Sequence, residues 1–187
     1  MNRLTRDLVK ALTHEIVKSG DSSQSSAAVA KPLVIRGEHN FSAGADLNEI
    51  AKLTGHEAYD FSALGQSLMN AIASYPAPVI AAIEGHCMGG GLDLALACHR
   101  RIASPTAVFG HRGTALGLIT GWGGTQRLPR TIGKGRALEL FVAAERLTAE
   151  RGLEIGLVDS IANDPLAEAL LQFRSRSSRR STLPLVY

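Results

Sequence analysis

The residues best placed for chemistry lie in 84–98, EGHCMGGGLDLALAC, directly after the apolar run of 78–83. A β-branched and alanine-rich run, three consecutive glycines and an alanine- and leucine-rich segment read as strand, sharp turn and buried helix. If Gly89, Gly90 and Gly91 open that helix, their N–H groups have no intrahelical acceptor and point outward, with the positive helix end behind them. That arrangement holds an anion or an oxyanion. The competing reading of the three glycines is a turn that only lets a small helix pack closely. Asp93 falls in the first turn, where a negative charge is favoured in any case. A carboxylate set in the apolar LDLALA run is also a candidate for moving a proton.

These residues need a frame, and the chain punctuates itself into one. Leu4, Leu8, Leu12 and Ile16 recur every fourth residue, one face of an amphipathic helix with Thr5 as N-cap and Gly20 as stop. Residues 20–32 are a serine-rich connection expected to be mobile. Residues 33–36 read as a buried strand, 37–44 as a loop carrying Phe41, and 45–50 as the start of a helical piece that breaks at Gly55. A helix is expected over 59–73, with Tyr59, Ala63, Leu64, Leu68, Ala71 and Ile72 on its apolar side. Strands follow at 79–83, 101–103 and 107–109, the last two flanking the turn Ser104-Pro105-Thr106. After a glycine-rich stretch over 110–124, helices are expected from Thr125, over 135–143, over 150–155 with Thr148 as cap, and over 165–173. Alternating helices and buried strands predict an α/β protein with a largely parallel sheet.

Composition sets limits on function. The 187 residues are 45% apolar, enough for one substantial core, and the mean hydropathy is +0.05. The division expected is a single core domain over 1–173 and a basic, disordered tail over 174–187. The formal charge is +3, but Arg174, Arg176, Arg179 and Arg180 occupy that tail with no acidic residue after them, leaving the body near −1. The basic balance therefore argues little for nucleic acid as a partner. No apolar run approaches the roughly 20 residues of a membrane span, and no leader pattern is visible, so a cytoplasmic location is expected. Cys87 and Cys98 read as reduced thiols, and neither CxxC nor HExxH occurs, so no metal is expected. GHCMG lacks the serine of a nucleophile elbow.

FSAGADL (41–47), GHCMGGGLDLALAC (85–98) and GLITGWGGTQRLPRTIGKGRALEL (117–140) together resemble the crotonase family, the enoyl-CoA hydratase/isomerase group. The resemblance covers about residues 2–159. It implies a spiral of ββα units, an acyl-CoA thioester whose oxygen lies between the backbone N–H groups of Ala45 and Gly90, and lyase or isomerase chemistry of fatty acid metabolism. Coenzyme A would enter as part of the substrate, with no permanently bound cofactor, and the family assembles as trimers or hexamers. Gly44, Asp46, Leu47, Gly89, Gly113, Leu118 and Trp122 are the matching candidates for substrate contact. Asp46 has a competing role as a loop brace, and Trp122 and Leu118 as ordinary core.

The chain departs from the family at the acid/base positions. Hydratases of this kind use two glutamates, which fall here at Asp93, one methylene shorter, and Gly113, which has no side chain to transfer a proton. His111, two residues before that gap, is the candidate replacement, histidine being the residue type suited to proton transfer near neutrality. Arg112 either holds a carboxylate or faces solvent. Two functions follow: a thioester-binding enzyme working through Asp93 and His111, or a CoA-thioester-binding or interaction module that turns over weakly or not at all. The resemblance also implies opening strands and C-terminal helices beyond this stretch.

Overall fold

A computed structural model describes residues 2–21 and 30–180, with side chains given as far as Arg174. The serine-rich connection at 22–29 and the segment 181–187 lie outside the described residues. The chain is an α/β protein with mixed sheets. Strand β1 (Arg3–Leu4) pairs parallel with β3 (Gly44–Ala45). A four-stranded parallel sheet has the order β2 (Leu33–Arg36), β4 (Val79–Ile83), β6 (Arg100–Ala103), β9 (Ser160–Ile161). A third sheet joins β5 (His86–Met88) parallel to β7 (Val108–Gly110), and β7 antiparallel to β8 (Leu147–Thr148).

The alternation of β4 assigns its two faces. Val79, Ala81 and Ile83 enter the main core with Leu68, Ile72 and Leu92. Ile80 enters a second cluster with Ile102 and Ala169, the latter from helix α8 (Pro165–Arg180), which lies on the opposite face. All of β4 is buried, whereas β2 at the sheet edge is only half-buried, a correction to the buried strand expected there.

Helix α1 (Arg6–Gly20) starts where expected, with Thr5 accepting from the Leu8 N–H at 3.2 Å. The stripe is its buried side in part: Ile16 is buried with Val9 beside it and Leu12 packs on the core, whereas Leu8 is exposed and Leu4, also buried, belongs to β1 rather than to the helix. After the short α2 (Leu47–Ile50), Gly55 opens helix α3 (Gly55–Ala73) rather than breaking one. Thr54 and Glu57 close a capping box there, and the backbone N–H of Thr54, with its hydroxyl, holds the Glu57 carboxyl below the usual range. The buried side of α3 is Phe61, Gly65, Leu68, Met69 and Ile72, and Tyr59 faces solvent.

Helix α4 (Gly90–Ala97) is the centre of the core, buried from Gly91 to its end. The strands flanking Ser104-Pro105-Thr106 join different sheets, β6 with β4 and β7 with β5. Helices α5 (Gly124–Ile132), α6 (Lys134–Ala143) and α7 (Ala149–Glu154) follow; Thr148 caps α7 by accepting from the Arg151 N–H. Helix α8 does not end at Phe173 but runs to Arg180. Cys87 and Cys98 are free and buried. Burial pushes the Cys98 thiol up to about 12, with Arg101 opposing, and raises the Cys87 thiol well above its ordinary value. Among the described residues no helix is long and apolar enough to cross a membrane.

Candidate functional site

Three segments distant in sequence are laid side by side to make the site. The 41–45 segment runs beside β5: Phe41 N–H donates to Glu84 O, Ser42 N–H to His86 O, and Met88 N–H to Ser42 O, at 2.8 to 2.9 Å. On its other side β5 pairs with β7. AGAD, MGGG and FGHRG therefore emerge at the same end of three adjacent extended segments, the end from which α4 departs.

Glycine is required where two of these segments meet. Gly44 has φ +90°, a conformation open to glycine at little cost. A Cβ there would fall 2.7 Å from the Met88 carbonyl oxygen and 2.9 Å from the Gly90 nitrogen. A Cβ on Gly90 would in turn lie 3.3 Å from the Ala45 nitrogen. The backbones of Ala45 and Gly90 thus face each other at close range. Gly90 is the first residue of α4, whose first intrahelical bond runs from Asp93 N–H to Gly89 O, so its own N–H has no helical acceptor.

Below these backbones lies a cavity of about 440 Å³, within the size range of small-molecule sites. Gly44, Ala45, Leu47, Gly89, Gly90, Asp93, His111, Gly113, Leu118 and Trp122 all line it. Of the candidates for substrate contact, Asp46 alone stands back. It caps α2 by accepting from Asn48 N–H at 2.8 Å and pairs with Arg3 at 3.3 Å, and these bonds, the Asn48 N–H first, hold its carboxyl below the usual range. Arg112 also lines the cavity. His86 does not, its ring Nδ1 being 2.9 Å from Asn40 Oδ1.

Asp93 and His111 meet at the cavity floor, 1% and 4% exposed. His111 Nε2 lies 3.3 Å from Asp93 Oδ1 without the alignment of a hydrogen bond, so both atoms are buried with no hydrogen-bond partner among the described residues. Asp93 Oδ2 accepts from the Thr120 hydroxyl, and the His111 ring packs on Phe141 at a centroid distance of 5.1 Å. A side chain on Gly124 would collide with Asp93 Oδ1, which explains glycine at the start of α5. Gly113 begins a 3-10 turn (Thr114–Leu116), and a Cβ there would come within 3.0 Å of the Leu118 carbonyl oxygen.

Thr120, Met88 and Phe141 are site residues that the sequence did not single out. Thr120 lies 27 positions from the carboxylate that it contacts, and no spacing pattern marks it. Arg127 fixes the turn before α5, donating to Trp122 O at 3.3 Å and Asn70 Oδ1 at 2.9 Å. Its burial lowers its pKa while the charge of Asp93 pulls the other way.

The chain matches known proteins over most of its own length. Residues 1–180 match the enoyl-CoA hydratase/isomerase family profile, and the chain belongs to that family. It is 44% identical over 161 residues to a probable enoyl-CoA hydratase of Bacillus subtilis (strain 168), a match covering 84% of this chain and 61% of that protein. The structure of an enoyl-CoA hydratase from Bacillus anthracis superposes with a TM-score of 0.86 at 34% identity, over 94% of this chain and 68% of that one. Pseudomonas aeruginosa DspI gives 0.85 at 34% identity, over 92% and 66%. The chain thus spans about three fifths of its curated relative's length.

Proposed function

We propose that this chain binds an acyl thioester of coenzyme A, with the thioester oxygen between the N–H groups of Ala45 and Gly90. The observation that carries this reading is the close approach of those two backbones above a largely apolar cavity. Two fixed donors on one carbonyl oxygen polarise it, and negative charge developing there gains more than the neutral ground state does. Gly113 supplies no second carboxylate, and the Leu118 carbonyl crowds the position where one would begin. Ordinary two-carboxylate hydration therefore has no support here, and the chain is at most a weak hydratase.

Turnover of another kind is favoured by one observation. Asp93 Oδ1 and His111 Nε2 are paired at 3.3 Å at the cavity floor, each lacking a hydrogen bond among the described residues. Such a pair can take a proton from the α-carbon of a β,γ-unsaturated thioester, whose dienolate the two backbone donors would stabilise, and can return it at the γ-carbon, moving the double bond into the α,β position. This would be isomerase-like chemistry without a second carboxylate.

Titration with crotonyl-CoA, with heat of binding and the enoyl-thioester ultraviolet band recorded together, tests the proposal. Saturable binding with slow or no loss of the band is expected. Rapid loss of the band would overturn the weak-hydratase reading, and absence of binding would overturn the site.

A further inference from the structure

Resting on the thioester reading above, we propose that Trp122 is a fixed wall that restricts this site to short acyl groups. The indole spans from α3 to the first turn of α4. A Cβ on Gly90 would lie 2.6 Å from the indole's Cζ3, and a Cβ on Gly65 would overlap the pyrrole edge. The ring is 4% exposed, its Nε1–H donates to Phe61 O at 3.3 Å, and the Phe61 ring meets it edge-on at a centroid distance of 5.3 Å.

The segment carrying Trp122 is held as firmly as the ring. Ser62 Oγ and Gln66 Nε2, both on α3, donate to Gly121 O at 2.9 and 2.8 Å. Arg127 donates to Trp122 O and ties it to Asn70. A side chain packed on both edges and bonded through ring and backbone cannot swing aside at small cost, because a close-packed interior has no empty volume to receive it.

An acyl group whose oxygen sits at Gly90 therefore meets the indole within the first few carbons on the α3 side. Much of the remaining apolar lining is open to water: Leu47, Leu116 and Ile119 are 51%, 60% and 62% exposed. Methylenes placed there stay largely in water and contribute little to affinity.

The test is calorimetric titration of the wild-type chain with acetyl-, butyryl-, hexanoyl-, octanoyl- and decanoyl-CoA, repeated on Trp122→Ala and Trp122→Phe. In the wild type, affinity is expected to rise to butyryl or hexanoyl and then stay level within about twofold. Trp122→Ala is expected to extend the rise by about fourfold for each further methylene buried, with Trp122→Phe intermediate. A wild-type affinity that climbs about fourfold per methylene through decanoyl-CoA would overturn the wall and leave the thioester reading intact. Should Trp122→Ala not fold, the wild-type series and Trp122→Phe carry the test. Binding of none of these ligands would overturn both readings.

Discussion

Asp93→Asn is expected to lower any enoyl-CoA isomerisation by at least about 100-fold, the usual contribution of a positioned acid/base group, while leaving the fold intact or firmer. Asp93 Oδ2 accepts from Thr120, and Oδ1 faces His111 Nε2 without a hydrogen bond. A carboxamide keeps one oxygen for the Thr120 hydroxyl and turns its NH2 toward the unpartnered imidazole nitrogen. A buried hydrogen bond gained in this way is worth about 1 kcal/mol. The same carboxamide cannot take up a proton at neutral pH. Thermal melting, butyryl-CoA affinity and turnover measured on one preparation separate these effects. Turnover within about threefold of wild type, far short of that contribution, would remove Asp93 from the chemistry.

The second large effect is on stability. Asp159→Ala strands the Arg101 guanidinium, whose side chain is 10% exposed. That group forms an ion pair with Asp159 Oδ2 at 3.0 Å and donates to Leu157 O at 2.7 Å and to Cys98 O at 3.1 Å. Asp159 Oδ2 also accepts from the Arg101 N–H at 2.8 Å, fixing the approach to β9. Removing one partner of a buried pair costs about 3 to 5 kcal/mol. The lower end applies here because Asp159 is 29% exposed and water can reach the vacated place. A loss of about 3 kcal/mol lowers the melting temperature of a chain this size by roughly 6 to 12 °C. A double replacement of Arg101 and Asp159 by leucine is expected to recover much of that loss, since the desolvated charge goes too. A single-variant change below about 1 kcal/mol, the scale of an exposed pair, would show that the pair is a surface contact.

Local chemistry in this chain is legible from sequence, and distant partnership much less so. Thr5 and Thr148 announce their helices because a cap acts within three residues. The Thr54-to-Glu57 pattern was equally local, yet Gly55 between them reads as a break. A capping box outweighs one glycine when Phe61, Leu68 and Ile72 bury the rest of the helix. Leu4 continues a four-residue stripe into α1, but its partner is Ala45, and strand pairing with so distant a segment leaves no periodic trace. The two strands around Ser104-Pro105-Thr106 look like neighbours and are drawn apart because β4 and β5 claim one each.

At the site, the glycines that let the 41–45 segment and the start of α4 approach could be placed from motifs. His111 could be singled out only by its nearness to the gap at Gly113. Thr120 could not be found at all, since its pairing with Asp93 depends on how α4 and the turn before α5 pack in space. Trp122 stands open to two readings in sequence, core and pocket wall, and its position against Gly65 and Gly90 makes it both.

In the proposed site two backbone N–H groups hold a thioester oxygen. Comparing butyryl-CoA with S-butyl-CoA, in which a methylene replaces the carbonyl, tests it without altering the protein. Two hydrogen bonds at about 1 kcal/mol each predict that the thioether binds roughly 30-fold more weakly. Equal affinity for the two would contradict the placement of the carbonyl between Ala45 and Gly90.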